Sequence, residues 1–429
     1  MIKRFVPAAI VALGLVAAGC SSDSEGSSSG ATAAPATEAP AGTDAAASTE
    51  APAGTDAPAG TDAPAGSTPA SDCTLSEPLK IGFAADLGEL GAFSDQPGSE
   101  AAKVQVDLLN EAGGVGGLPV EYEVKDIQGD PAATQRAAQE LLDSGVNAII
   151  GPPFASTGAP LLDTVAGKVP VISMASTDPS LADPSRGAFL ASFSDPIQSG
   201  AMAKYLLDEG KTTAVTFSSS DDVYFSGNPE YFTTTFTDGG GEVVQDFSYS
   251  LADTDFSTQV NELAALDPLP EVLFTAMVQP QIGTLLEQLQ GAGLDIQVAG
   301  VDGFDATVVW SSGDVANGVL FAAHTFPSDS NGVQKFLDEA KAAGADIETI
   351  SFGALASDAV LVLAAAAQEA CSVDGATLID TINNLVNVPV TTGQVTYKGA
   401  NGVPQKDVEI LTVTDGAPAF VTAIPSADV

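Results

Sequence analysis

The sequence predicts an α/β protein of two lobes, each a parallel-rich sheet flanked by helices. Three observations carry this. From residue 79 onward, short apolar runs alternate with helical stretches, the pattern of parallel strands joined by crossover helices. The stretch from 73 to 429 is 357 residues, more than one hydrophobic core usually organises. What precedes it reads as export signal and spacer rather than as fold.

Taken in order, "MIKRFVPAAIVALGLVAAGC" begins with Lys3 and Arg4, continues as an apolar run from Val6 to Ala18 and ends in small residues at Cys20. This predicts a secretory signal over 1–19, too short to span a bilayer as a mature helix. Residues 20–72 contain Ala, Pro, Gly, Ser, Thr and acids without Lys or Arg, and "APAG" recurs at 39, 51, 57 and 63. Too few large apolar side chains occur to offset the entropy of ordering, so a disordered tether is predicted, spanning roughly 40 Å root-mean-square. "GSSSG" at 26–30 matches the Gly-x-Ser-x-Gly elbow, but no strand precedes it and no helix follows.

"LKIGFAAD" (79–86) predicts a buried strand, followed by a helix from Ser99 to Glu111 that ends at Gly113-Gly114. "VEYEVKDI" alternates as a strand. Asp130 then caps a helix started by Pro131, which runs through Leu142 to a stop at Gly145. "VNAIIG", a helix to Ala166 and "VPVISM" continue the alternation. After 196 come a helix to Glu209, "TAVTFS", a helix near 229–238, "GEVVQDFSY", a helix at 256–266, "EVLFTA", a helix at 280–292 and "IQVAGV". Beyond "GVLFAAH" three helices are expected, near 331–343, 352–370 and 374–385, and two strands, "GQVTYK" and "VEILTVT", end the pattern. The 352–370 helix is apolar nearly all round. Ser357, Asp358, Gln368 and Glu369 make it a buried crossover helix rather than a membrane span.

Charge and composition exclude several functions. Net charge is −42, with 12 basic against 48 acidic residues in 73–429, which argues against nucleic acid or anionic lipid as partner. The acids read as a solvated surface. Asp221-Asp222 and the "DTD" at 253 lack calcium-loop spacing, and neither a metal nor a cofactor is expected. The chain has one histidine, His324, with no Walker A motif, no dinucleotide glycine fingerprint and no Cys-His pair, so an enzyme is not expected. His324 is read as packing near a hinge and Trp310 as core.

"VAAGC" resembles the lipobox of bacterial lipoproteins, which implies cleavage before Cys20, acylation of that cysteine and an extracytoplasmic protein anchored to the cell membrane. Stable anchoring takes more than one acyl chain. That leaves Cys73 and Cys371 in an oxidising compartment, where they are expected to form a disulfide.

The ordered run from "LKIGFAADLGELGAFSD" through "NEAGGVGG", "QGDPAATQ" and "AIIGP" to "VPVISMASTDPSL" resembles the branched-chain amino-acid class of solute-binding proteins of ABC transporters. The resemblance covers essentially all of 73–429. It implies the type I periplasmic-binding-protein fold: two Rossmann-like lobes joined by three crossover strands, placed near 193–197, 323–328 and 390–396. The first lobe is then 73–194 plus 327–392, and the second 195–326 plus 393–429. It also implies a monomer that hands its solute to membrane permease subunits.

In an open parallel sheet, ligands bind beyond the carboxyl ends of strands, where helix N-termini present free N–H groups. Ala155, Ser156 and Thr157 follow "AIIG", and Ser176 and Thr177 follow "PVIS". Ser and Thr at such turns also serve as ordinary helix caps. Two neighbouring turns in the family's order suit a carboxylate instead, held by backbone donors and hydroxyls. Ala155 stands where relatives often have a hydroxyl, leaving open whether Ala155 or Ser156 is the matching contact. Pro153-Phe154 is expected to narrow the pocket.

The resemblance further places Asp302 against the ammonium of an amino acid, and Phe93 and Tyr224 as aromatic walls of the first and second lobe. Asp302→Ala is then expected to abolish binding while leaving stability near wild type. Met277, Val278 and Gln279 stand where some relatives have tyrosines, so the solute's side chain is not legible. An amino acid is the first expectation. An amide, a urea-like compound or an aromatic acid on the same scaffold, or a sensory or partner-binding role, are the alternatives.

Overall fold

The structure, a computed structural model, describes residues 73–429 apart from Glu89 and Glu348. The expected signal, the acylated Cys20 and the tether lie outside the described residues.

The first lobe starts with β1 (Lys80–Ala85), α1 (Ala92–Glu111), β2 (Glu121–Asp126), α2 (Pro131–Ser144), β3 (Ala148–Gly151), α3 (Ala155–Val165), β4 (Val171–Ser173) and β5 (Ala188–Leu190). Its five strands are parallel in the order β2-β1-β3-β4-β5. Local chemistry matches this at α2, where the Asp130 carboxylate accepts the N–H of Ala133 at 2.7 Å and Gly145 ends the helix in the left-handed region at φ 83°.

The chain then crosses to the second lobe, with α4 (Asp195–Asp208), β6 (Thr213–Ser218), α5 (Val223–Asp238), β7 (Glu242–Ser248), α6 (Ser257–Ala264), β8 (Val272–Thr275), α7 (Gln281–Gly291), β9 (Gln297–Gly300), α8 (Thr307–Trp310) and β10 (Leu320–Ala323). It returns to the first lobe for α9 (Val333–Ala342), α10 (Ile350–Ala370), α11 (Gly375–Asn384) and the small hairpin β11 (Val388–Val390) and β12 (Gly393–Val395). It ends in the second lobe as β13 (Val408–Thr414) and β14 (Ala417–Ile424). The second sheet runs β14-β13-β10-β9-β8-β6-β7, with β13 and β14 antiparallel to their neighbours.

Strands β5 and β11 are absent from the sequence reading, and four further features depart from the expectation. Helix α1 begins at Ala92 rather than Ser99 and runs through Pro97. Proline cannot bond the carbonyl four residues back, and that carbonyl, Phe93 O, accepts the Thr349 hydroxyl at 3.4 Å instead. Helix α5 begins at Val223 rather than 229 and runs through Pro229. The carbonyl its proline frees, Phe225 O, accepts the N–H of Ser219 at 3.3 Å.

The third departure is the last crossing. Val395 and Tyr397 are buried in the first lobe's core, Tyr397 donates its hydroxyl to Leu190 O at 2.7 Å, and Leu190 N–H donates to Gly402 O. Residues 393–403 therefore pack with the first lobe, and the chain leaves it after Val403 rather than at 390–396. The fourth is β14, a strand absent from the sequence reading. It folds back at Asp415-Gly416, both with positive φ, and as the sheet's edge it tolerates Pro418.

Helix α10 is long and apolar enough to cross a membrane by composition, yet 15 of its 21 residues are buried in the first lobe, packed chiefly along α1. At its C-cap Cys371 is bonded to Cys73, their Cα atoms 5.4 Å apart.

Candidate ligand cleft between the lobes

Strands β3 and β4 are neighbours, so their carboxyl ends open side by side, and the Ser173 hydroxyl ties the two turns together by donating to Pro152 O at 2.9 Å. Phe154 is the N-cap of α3 and offers no side-chain acceptor, which leaves the first-turn N–H groups for other partners. The Ser156 N–H finds one in the second lobe: it donates to Asp222 Oδ2 at 3.3 Å. Asp222 accepts the N–H of Tyr224 with its other oxygen at 3.0 Å, capping α5. One carboxylate thus lies between two helix N-termini from opposite lobes. Phe154 follows it across, buried edge-on against Tyr224 with ring centres 5.8 Å apart and 5.9 Å from Phe225.

The remaining hydroxyls are used internally. Thr157 donates to Phe154 O at 3.1 Å, within its own helix turn. The Ser176 Oγ accepts Asp178 N–H at 3.4 Å, and its carbonyl accepts the Ser192 hydroxyl at 2.8 Å. Thr177 donates to Asp195 Oδ1 at 2.5 Å. Ala155 is half-buried beside them and Ser156 is exposed.

Asp195, the first residue of α4, begins a buried polar network that runs into the second lobe. Its Oδ1 also accepts from the side-chain amides of Gln198 and Asn228, each at 2.9 Å. Gln198 Oε1 accepts the N–H of Asp302 at 3.2 Å. Asp302, just past β9, accepts the Tyr224 hydroxyl on Oδ1 at 2.7 Å and faces His324 Nε2 on Oδ2 at 3.0 Å. His324 Nδ1 is buried with no partner in the protein, which assigns the proton to Nε2, where the carboxylate holds it. The ring lies against Phe193, with centres 4.0 Å apart.

Burial sets the protonation of this cluster. It pushes Asp195 up to about 7, against the opposing bond from Thr177, and the charge of Asp302 adds to the rise. Asp305 is likewise raised to about 7 by burial, with Ser351 opposing and Asp302 adding. Desolvation lowers the pKa of His324, opposed by its bond to Asp302, so the imidazole is held neutral.

The cleft also contains open space. Phe93, half-buried and edge-on to Phe352 at 5.4 Å, borders two cavities between the lobes. One of about 610 Å³ is lined by Leu90, Leu251, Thr254, Gln279 and Gly303, the other, about 510 Å³, by Gln96, Glu100, Thr307 and Asp346. A larger groove of about 690 Å³, with Lys211, Glu271 and Gln297 on its walls, lies at the amino ends of β8 and β9, the wrong end of the sheet for ligands.

The structure therefore brings Thr177, Tyr224 and Asp302 into one hydrogen-bonded chain, and Ser156 against Asp222. It sets Thr157 in its own helix and Phe93 on the cavity walls. Sequence reasoning passed over Asp195, Gln198, Asn228, Asp222 and Asp305. Asp195-Pro196 carried a signal, an acidic residue with proline at a helix start, but that signal reads as a surface cap rather than as a buried node.

Two lobes crossed three times by the chain, with helix N-termini facing each other over a polar cleft, define a bilobal binding protein. The family model for periplasmic binding proteins matches residues 78–418, and the chain belongs to that family, with its type I fold. It is similar to the Leu/Ile/Val-binding protein BraC3 of Rhizobium johnstonii, 28% identical over 325 residues, which are 74% of this chain and 87% of the relative. Among solved structures, the leucine-binding protein LivK of Thermotoga maritima superposes with a TM-score of 0.74 at 24% identity, covering 82% of this chain and 100% of that one. A solute-binding protein of an ABC transporter from R. palustris, solved with benzoate, gives 0.71 at 18%, covering 81% and 97%.

Proposed function

We propose that this protein is an extracytoplasmic solute-binding lipoprotein, anchored through Cys20, that captures a small zwitterionic solute and presents its closed form to an ABC permease. The solute class is an amino acid, in keeping with the amino acids after which the similar proteins are named. One observation carries the reading: a continuous polar chain from Thr177 on the first lobe, through Asp195 and Gln198, to Asp302 and Tyr224 on the second.

In this reading the solute docks on the β3 and β4 turns of the open cleft, its carboxylate toward the amide of Ser156 and the hydroxyl of Ser176. Closure about the crossings then brings Tyr224 and Asp302 to its ammonium. A carboxylate facing a cation in a site emptied of water gains more than at the surface, and that difference between open and closed forms drives closure. Calorimetry with leucine, isoleucine, valine, urea and benzoate tests the proposal. Saturable binding of an amino acid is the expected result, and binding of none of the amino acids overturns it.

A further inference from the structure

The α3 N-terminus, where a solute carboxylate is proposed to dock, already holds a carboxylate of the protein's own. Asp222 reaches it from the opposite lobe, with Oδ2 on the Ser156 N–H at 3.3 Å. It is not a free side chain that happens to point there, since Oδ1 is fixed by capping Tyr224 N–H at 3.0 Å. The same turn has Ala155 where a hydroxyl would strengthen the hold on an incoming anion. Closure is therefore satisfied at this point without a ligand, and a bound anion at Ser156 would meet Asp222 at close range on every closure.

The rest of the cleft reinforces this sign. Asp302 is buried in it, and beside it Asp195 and Asp305 become charged above about 7; one oxygen of Asp305 has no hydrogen-bond partner in the protein. Among the described residues lining the two cavities between the lobes there is no Lys or Arg, while Glu100 and Asp346 are present. Lys406, a cation whose charge acts on His324, is spent on Asp358, at 2.8 Å. A zwitterion can offset the displacement of Asp222 by setting its ammonium toward Asp302. A monoanion has nothing to offset it.

We infer that Asp222 is a specificity-determining residue that acts as an internal anion, competing for the α3 N-terminus and excluding solutes of net negative charge such as arene carboxylates. The inference rests on the proposed solute site and adds the sign of charge it accepts.

Asp222→Asn removes the charge yet keeps an oxygen for the Tyr224 cap, and Asp222→Ser keeps the cap with a side chain too short to reach Ser156. Benzoate and leucine are titrated by calorimetry into the full-length wild type and both variants. Expected is benzoate binding that is absent or weak in wild type and at least about tenfold tighter in both variants, the scale of one unfavourable charge pair removed from a partly buried site, with leucine changed far less. Benzoate affinity unchanged in both variants overturns the inference, as does wild type binding benzoate as tightly as leucine. If Asp222 merely latched the lobes, both ligands would weaken together, which also overturns it. Should leucine bind to none of the proteins, the amino-acid reading fails, while the benzoate comparison between wild type and variants still decides the role of Asp222.

Discussion

Replacing Asp302 is the most informative perturbation of the cleft, because the carboxylate has work to do in the protein itself. It is 2% exposed and accepts the Tyr224 hydroxyl at 2.7 Å and the His324 Nε2–H at 3.0 Å, and both donors are themselves buried. Asp302→Ala leaves two donors without acceptors. Each costs about 1–3 kcal/mol, so a loss of about 2–6 kcal/mol in unfolding free energy is expected. The loss of its charge works in the other direction, relieving Asp195 and Asp305, and keeps the figure toward the lower end. Asp302→Asn retains one acceptor, and its amide can face His324 in the other tautomer, so about half the loss is expected. This corrects the sequence-based expectation that Asp302→Ala leaves stability near wild type. Urea unfolding followed by tryptophan fluorescence measures it, with calorimetry on the same samples for binding. An Asp302→Ala midpoint equal to wild type, at equal slope, would refute the network as drawn.

Stability should also depend on pH in a defined direction. Asp195 and Asp305 keep their protons in the folded protein up to about 7, but release them near 3.9 when unfolded. Between those values the folded state holds more protons, so stability falls as pH rises, by about 1.4 kcal/mol per pH unit for each group. His324 opposes this below about 6.5, since only the unfolded chain then protonates it. Asp95, which burial raises well above the usual carboxylate range, and Glu409, which burial raises to about 7, act in the same direction as the two aspartates. A net slope of about three protons is therefore expected between pH 5 and 6.5, read from urea midpoints, and Asp195→Asn should lower it by about one. Thr177→Val removes a bond to Asp195 that Gln198 and Asn228 partly replace. A stability loss of about 1 kcal/mol is expected, with a rise in the Asp195 pKa visible by carboxyl NMR, and no change in either would place Thr177 outside the network. Cys73 and Cys371 are 298 residues apart in sequence. On the chain-entropy account their reduction should cost up to about 6 kcal/mol, checked by unfolding with and without dithiothreitol.

The alternation of strands and helices was legible because each crossover unit writes its own period and its own punctuation, as at Asp130-Pro131 and Gly145. What was hidden depends on partners remote in the chain. Pro97 and Pro229 look like helix breakers until Thr349 and the Ser219 N–H take up the carbonyls they free. The placement of 393–403 hangs on Tyr397 reaching Leu190, 207 residues away. The turns that open α3 and follow β4 were readable as candidate anion sites from their hydroxyls. Their occupation by Asp222 and Asp195 was not, because nothing local in "SSSDDVYF" or "SDPIQSG" distinguishes an acid that caps its own helix from one that also reaches across a cleft.

The bond between Cys73 and Cys371 has a mechanical corollary. A pull transmitted to Cys73 passes through sulfur into the end of α10, most of which is buried in the first lobe. Strand β1 is spared that strain, and so are the three crossings. A moored molecule would hence hold its first jaw still, and the swing of the second would be free of any drag from the mooring.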